Sequence, residues 1–236
     1  MAGARLVWLA VPDPALPEVA ERVASHLRVL PPRARRPVVV HASGATSPSV
    51  LAPCRGAGAP IAAAHPLVSF GTPHTALAGA SFVLAGDAPA VRAVAAMVRK
   101  LGARPVHALL HGPRYHAAAA LLANGSAALA ALAVDALVRE GLSEQVAARS
   151  IGALLRSVAD NVVRVGPTRA LTGPIARGDA AAVARHLAAL EASAQDDYRA
   201  VSRIVLRAAE AAGLDAERAG AIRALLERRF DRCSSG

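Results

Sequence analysis

Two histidine-containing segments of this sequence have residue types that can bind and protonate a polar substrate. In residues 41–44, His-Ala-Ser-Gly, the ring of His41, the hydroxyl of Ser43 and a flexible backbone directly follow an apolar run. Such groups can bind a carbonyl or a carboxylate. In the second segment His65 precedes Pro66, and a histidine there can donate a proton to an atom that gains negative charge in a reaction. The structural alternative is that both rings only fix their turns through backbone hydrogen bonds.

A third polar group lies near the start of a long helical pattern. It comprises Tyr115, His116 and Asn124, and His116 and Asn124 are eight residues apart with Ala120 midway. Spacings of four residues repeat along one helix face, and the small neighbours leave space for a ligand. We therefore expect His41, His65 and His116 to converge on one cleft with Asn124 on its wall. The alternative is that these groups hydrogen-bond within a tight helical core.

Arg177 lies in a loop rich in glycine and proline, residues 166–178. A guanidinium in such a loop can make a bidentate contact with a carboxylate or a phosphate. Asp179 follows directly and predicts the N-cap of the next helix. The alternative is that the loop mainly fixes packing between helices.

Several other chemistries are excluded by missing motifs. The sequence has no Gly-x-Ser-x-Gly, no His-Glu-x-x-His and no Gly-Lys-Ser/Thr, and its eight histidines are not at ligand spacing. No metal is therefore expected. The only cysteines, Cys54 and Cys233, are too few for a disulfide framework, which favours a cytoplasmic location.

The elements that would position these residues follow two successive patterns. Up to about residue 110, short apolar runs alternate with amphipathic helical segments, which predicts a largely parallel α/β sheet. Ligands of such sheets bind at the carboxyl ends of the strands. The strands are predicted over residues 5–11, 37–41, 60–64, 81–85 and 104–109.

From residue 111 onward the pattern is helical only, so we predict an α/β domain over residues 1–110 and a helical domain over 111–236. One segment, Ala117 to Val138, is long enough to cross a bilayer. It consists mostly of alanine and is interrupted by Asn124, Gly125, Ser126 and Asp135, which are costly in lipid. We therefore predict a buried central helix and no membrane association.

Composition excludes disorder as the main state, because 54% of the residues are hydrophobic. The net charge of +10 invites a nucleic-acid partner, but 26 of the 27 basic residues are arginines spread along the chain. A composition rich in alanine and arginine is what GC-rich coding produces. Aromatic residues for stacking on bases make up only 3%. Nucleic acid is therefore not expected as a partner.

Four segments in fixed order resemble those of a known family. The chain is similar to the Rossmann-like proteins with a C-terminal domain of unknown function, number 2520 in that series. These resemble the wider group of ketopantoate, pyrroline-5-carboxylate and β-hydroxyacid reductases. The resemblance implies NADP(H)-dependent reduction of a small carbonyl or imine, such as a 2-oxo acid of the ketopantoate type, and a homodimer formed through the helical domain. The segments are His41–Gly44, His65–Phe70, Arg114–Ala119 and Leu171–Asp179.

The same resemblance implies roles for individual residues. It implies that His65, His116 and Asn124 are catalytic. It implies that the substrate is bound by His41, Ser43, Tyr115 and Arg177. It implies that the cofactor is bound by Pro12, Asp13 and Ser43. A lysine that the family often has shortly before Tyr-His is replaced here by residues 111–114, His-Gly-Pro-Arg.

The sequence departs from the family at the phosphate-binding turn. No Gly-x-Gly-x-x-Gly follows a strand, and Gly56-Ala-Gly58 precedes one. The chain resembles an N-terminally truncated Rossmann-like domain that begins at the fourth strand, so we expect weak or absent NADP binding. The alternative function is a non-catalytic ligand-binding or dimeric scaffold protein that has lost the cofactor half.

Overall fold

The computed structural model describes residues 3–108 and 112–227. Its first part contains one five-stranded sheet in the order β1-β2-β3-β4-β5. All neighbouring strands are parallel except β3 and β4, which are antiparallel. The predicted class, a mostly parallel sheet followed by helices, is confirmed. The strands are β1 (Leu6–Leu9), β2 (Val38–His41), β3 (Ile61–Leu67), β4 (Ser81–Gly86) and β5 (Arg104–His107).

Helices cover both faces of this sheet. Helices α1 (Leu16–Arg28) and α2 (Ala52–Gly56) pack on the face to which Val39 points. Helix α3 (Ala88–Lys100) packs on the opposite face, to which Val40 points. All of β2 is buried, which accounts for its three consecutive valines, Val38–Val40. Short 3₁₀ turns, at residues 13–15 and 48–51, follow β1 and β2 at their carboxyl ends.

Strand β3 is longer than the sequence predicts. It continues through His65, opposite Val83, and Pro66, opposite Phe82, because the antiparallel neighbour β4 pairs along its whole length. Pairing with β2 ends earlier, at Ala63. His65 is therefore held by the sheet on its β4 side.

Helices make up the remainder of the described chain. Its contacts form two compact units, Met1–Leu132 and Ala133–Gly236, which divide inside α4. The predicted boundary at residue 110 lies outside the described residues and stays a prediction. In the second unit, α7 to α10 surround an apolar core that includes Ile175, Val183, Leu206 and Ile222. The helices are α4 (Pro113–Arg139), α5 (Glu144–Val165), α6 (Pro167–Ala170), α7 (Pro174–Arg177), α8 (Ala180–Ala189), α9 (Ala192–Ala211) and α10 (Ala216–Glu227).

The prediction that the long alanine-rich helix is buried is wrong for this single chain. No residue of α4 is buried, and Leu121 and Leu122 are 76% and 73% exposed. The apolar composition of α4 predicted that the helix is buried. Composition does not say whether the residues that cover such a helix belong to the same chain. Among the described helices, α4 has the length and apolar composition to cross a membrane, and a single such helix is weak evidence of a membrane span.

Candidate functional site

The turns after β1 and β2 are joined by a small hydrogen-bond network. The hydroxyl of Ser43 donates to Asp13 Oδ2 over 2.6 Å, and Thr46 donates to the same oxygen over 3.3 Å. Ser43 Oγ in turn accepts from the backbone N–H groups of Ala45 and Thr46. Two residues predicted to contact the cofactor, Asp13 and Ser43, are thus brought together. Thr46 completes the network and was not predicted.

His41 lies wholly buried at the end of β2. Its Nδ1 accepts the backbone N–H of Ser43 over 3.2 Å, so the neutral ring carries its proton on Nε2. Burial lowers the pKa of His41, although the backbone of Ser47 and the charge of Asp13 oppose the shift. In this structure the ring orders the turn. A direct contact between His41 and a substrate stays a prediction.

His65, Tyr115 and His116 form a cluster within the first unit. The Tyr115 hydroxyl and His65 Nδ1 are hydrogen-bonded over 2.8 Å, with the rings edge to face. The ring centroids of His65 and His116 are 5.9 Å apart. His65 and Tyr115 are half-buried, whereas His116 is exposed. The structure therefore brings together two of the three predicted histidines and Tyr115, which was also predicted as a site residue.

A glycine makes room for this cluster. A Cβ atom on Gly44 would lie 2.8 to 2.9 Å from three ring atoms of His65. The carbonyl of Gly44 also accepts the N–H of Gly112, just before α4, over 3.1 Å. The end of β2, His65 and the first turn of α4 thus meet at Gly44. The sequence indicated a flexible residue here but not its contact with His65.

The electrostatics of the cluster favour a neutral imidazole. Burial lowers the pKa of His65, the nearby His116 lowers it further, and Asp13 raises it. Burial also raises the pKa of the Tyr115 hydroxyl, which keeps its proton at neutral pH. A neutral His–Tyr pair can donate a hydrogen bond to a substrate oxygen or nitrogen and transfer a proton to it.

A mostly apolar cavity of about 460 Å³ adjoins His65. We call it the Trp8 cavity. Its walls come from β1, β3, β4, α3 and the β3–β4 connection, with Ala42 after β2. Its main lining residues are Trp8, His65, Phe70, Leu77, Phe82 and Met97.

Two further predicted site residues lie on α4 and in the second unit. Asn124 is exposed on α4, roughly 12 Å along the helix axis from His116 at 1.5 Å per residue. In the second unit, Arg177 lines a separate cavity of about 680 Å³ with Thr168, Asp215 and Arg218. Asp215 and Arg218 lie about 40 positions from Arg177 in sequence, so sequence reasoning missed them, whereas Thr168 lies in the same glycine- and proline-rich segment. The catalytic role of Asn124 and the substrate contact of Arg177 stay predictions.

The segment predicted as a loop, residues 166–178, contains the short helices α6 and α7, and Arg177 is the last residue of α7. The residues that follow it have a clear structural function. The carboxylate of Asp179 accepts the N–H of Ala182 over 2.9 Å, as predicted for the N-cap of α8. Gly178 has a φ of +73°, and a Cβ atom there would meet the side chain of Arg218. Gly178 thus allows the stem of Arg218 to pack beside Arg177.

The residues after β1 and β2 do not fit a dinucleotide pyrophosphate. Pro12 and Pro14 at the turn after β1 have no N–H to donate to a phosphate. After β2, the N–H groups of Ala45 and Thr46 already donate to Ser43. Within residues 3–108 and 112–227, no Gly-x-Gly-x-x-Gly turn follows a strand.

Comparisons with known proteins agree with the fold. A model of a domain of unknown function, DUF2520, matches residues 80–205, and a Rossmann-like domain model matches residues 1–66. Both confirm the resemblance predicted from sequence. No curated protein matches the sequence.

Solved structures extend this similarity across most of the chain. Protein TM1727 from Thermotoga maritima has a TM-score of 0.64 and 25% identity, covering 87% of this chain and 79% of that one. A pyrroline-5-carboxylate reductase from Coxiella burnetii has a TM-score of 0.53 and 18% identity, covering 97% and 78%. The Plasmodium falciparum pyrroline carboxylate reductase with NADP bound has a TM-score of 0.57 and 13% identity, covering 94% and 78%. At these identities the two reductases show the fold alone.

Proposed function

Since the chain belongs to the family defined by the DUF2520 domain, we propose that it acts as an NADP(H)-dependent oxidoreductase that reduces a small carbonyl or imine substrate. The observation that carries the proposal is the hydrogen-bonded pair of His65 and Tyr115, with His116 beside it, at the end of the sheet. Reduction of a carbonyl or imine needs a proton at the oxygen or nitrogen. The nicotinamide, when bound, supplies the hydride.

In this proposal the side chains of the first unit hold and protonate the substrate. Tyr115 and His65 bind the substrate oxygen or nitrogen and deliver the proton, and His116 replenishes it from solvent. Asp13 and Ser43 face the cofactor, while Asn124 contributes a further polar contact. Because the pyrophosphate has no cradle among the described residues, we expect this chain to bind NADPH with a Kd weaker than ~10 µM, about −7 kcal/mol.

A second His–Tyr pair provides a matched control for the test. His186 Nδ1 and the Tyr198 hydroxyl are 2.9 Å apart, with the rings edge to face, in the second unit. NADPH oxidation is followed with 2-oxo acids and cyclic imines as substrates. Tyr115→Phe should lower kcat at least ~100-fold, the range expected for general acid catalysis, while Tyr198→Phe leaves it unchanged.

The outcomes separate the two classes of function. Equal effects of the two substitutions would contradict the proposed roles. Turnover of none of the substrates by the intact chain, together with retained substrate binding, would favour the alternative of a non-catalytic ligand-binding or scaffold protein. NADPH binding tighter than ~10 µM by calorimetry would contradict the expected weakness of the phosphate contacts.

We also propose that the protein is a homodimer formed through its long helices. Leu121 and Leu122 on α4 and Val163 on α5 are 76%, 73% and 88% exposed, which is unusual for large apolar residues in a soluble monomer. Sedimentation should give twice the monomer mass, and Leu122→Glu should reduce it to the monomer. A monomeric wild-type chain, or one that floats with lipid vesicles, would contradict this.

A further inference from the structure

The cavity of about 680 Å³ in the second unit places two arginines from distant parts of the sequence on one surface. Arg177 ends α7, and Arg218 lies in the first turn of α10. We call this space the Arg177 cavity. Its volume lies within the ~300–1,000 Å³ typical of small-molecule sites. Its lining includes Thr168, Leu171, Arg177, Leu214, Asp215 and Arg218.

Arg218 is held beside the end of α7 by contacts along its whole length. Its backbone N–H donates to Asp215 Oδ1 over 3.1 Å. Its stem packs so closely on Gly178 that a Cβ atom there would lie 2.7 Å from Cδ and 2.8 Å from Cβ of Arg218. Its guanidinium donates a long hydrogen bond of 3.5 Å to the backbone carbonyl of Arg177. A side chain that is already ordered loses less conformational entropy when a ligand binds.

The charges of the two guanidiniums are only partly offset by carboxylates nearby. In the described part of the second unit, neither guanidinium forms an ion pair. Asp179, two residues after Arg177, caps α8, and Glu210 on α9 pairs with Arg223. Asp215 offsets one charge of the lining, so a surplus of one positive charge remains. A single carboxylate neutralises that surplus, whereas a phosphate dianion would exceed it.

The remaining lining of the Arg177 cavity is mostly apolar. Leu171 follows α6, and Leu214 precedes α10 and packs against the core of the second unit. Both leucines are half-buried, so each keeps apolar surface that faces water. A bound carbon chain or ring would remove this surface from water. Because guanidiniums bind carboxylates in a planar, bidentate arrangement, the two kinds of surface together suit a carboxylate with an apolar body.

We propose that the Arg177 cavity binds a small organic carboxylate. The carboxylate group lies between Arg177 and Arg218, and an apolar body of several carbons packs on Leu171 and Leu214. Arg218 therefore shares a contact that the sequence predicts for Arg177 alone. All of the lining residues belong to the second unit, so binding there does not depend on the reductase chemistry proposed for the first unit.

Gly213 lines the cavity, and its amide gives a local probe in NMR spectra of ¹⁵N-labelled protein. The full chain is titrated separately with hexanoate, acetate, 1-hexanol and hexyl phosphate. Hexanoate should shift the Gly213 resonance and bind at least ~10-fold more tightly than acetate, because its longer chain leaves water. It should also bind more tightly than 1-hexanol, which has the chain without the charge, and more tightly than hexyl phosphate.

Substitutions in the lining identify the groups that bind hexanoate. Arg218→Met keeps a stem on Gly178 and removes the charge, so it should weaken binding ~10-fold, and Arg177→Met should do the same. Asp215→Asn keeps the N-cap oxygen of α10 but removes the negative charge, so it should tighten binding about two- to threefold. Arg185→Met changes an exposed arginine of α8 outside the cavity and should have no effect. Circular dichroism verifies that each variant is folded.

Equal hexanoate binding by Arg218→Met and Arg185→Met would overturn the proposal, and Arg177→Met decides the question if Arg218→Met does not fold. Tighter binding of hexyl phosphate than of hexanoate would also overturn it. Shifts of similar size at Gly71 in the first unit would do so too, because they would show a general attraction to the charge of +10. Hexanoate binding without reductase turnover would count against the proposed function only, and turnover without hexanoate binding against this site only.

Discussion

Replacing Gly44 with alanine tests whether the space beside His65 is as tight as the structure indicates. The added Cβ would lie 2.8 Å from His65 Nε2 and 2.9 Å from both Cδ2 and Cε1. Ordinary contacts between such atoms are about 3.5 to 4.0 Å, so the ring must move by about 0.6 to 1.2 Å. Gly44 does not have a positive φ, so alanine adds no backbone strain there.

The cost of this movement follows from the contacts of the ring. The hydrogen bond between His65 and Tyr115 is 2.8 Å long and would stretch toward the limit of about 3.5 Å at which it is lost. Losing such a bond costs ~0.5–1.5 kcal/mol, and overpacking adds ~1–3 kcal/mol in a closed core. Because His65 is half-buried and can partly swing outward, we expect a total of ~1–3 kcal/mol.

Urea denaturation measures this loss, and NMR titration of the histidine rings measures its cause. A displaced His65 becomes more solvated, so its lowered pKa should rise toward the ordinary value. Gly71→Ala is the matched control, because a Cβ there meets no atom within 4 Å. Unchanged stability and an unchanged His65 titration in Gly44→Ala would refute the assigned geometry.

Three further predictions concern other parts of the molecule. Asp179→Ala removes the N-cap of α8, and its unfolding free energy in urea should fall by ~1 kcal/mol, with Asp179→Asn retaining most of it. Burial lowers the pKa of His41, so the unfolded chain takes up this proton first as the pH falls below about 6.5. Stability should therefore decline as the pH falls below about 6.5, and His41→Gln should make this slope shallower in thermal scans. The charge of +10 predicts weak DNA binding without sequence preference, and a sequence-preferring complex that survives ~200 mM salt in a band-shift assay would contradict this.

Local patterning was sufficient to predict the layered part of the fold. Apolar runs such as Val38-Val-Val predicted the buried strands. Amphipathic segments such as 88–100 predicted the covering helices, because their apolar residues repeat with the period of a helix. Asp179 was predicted as an N-cap for the same reason, since its hydrogen bond reaches only three residues along the chain. These features depend on neighbours in sequence.

Features that depend on partners distant in sequence were not predictable in this way. The hydrogen bond between His65 and Tyr115 joins residues 50 positions apart, and the stem of Arg218 packs on Gly178 from 40 positions away. The exposure of α4 was not predictable either, because it depends on which other residues cover the helix. Its leucines are apolar enough for a core, but the sequence does not say that this chain leaves them uncovered.

His41 and His65 show how strand pairing separates two similar sequence patterns. Both follow a short apolar strand, but His41 pairs with neighbours on both sides and is buried at the end of β2. Pairing between β2 and β3 ends at Ala63, so no β2 residue lies beside His65, and Gly44 occupies that space without a side chain. The ring of His65 therefore stays half-exposed next to Tyr115. A buried imidazole can order a turn, whereas only one that reaches both solvent and a proton donor can exchange protons with a substrate, which is why His65 carries the proposed chemistry.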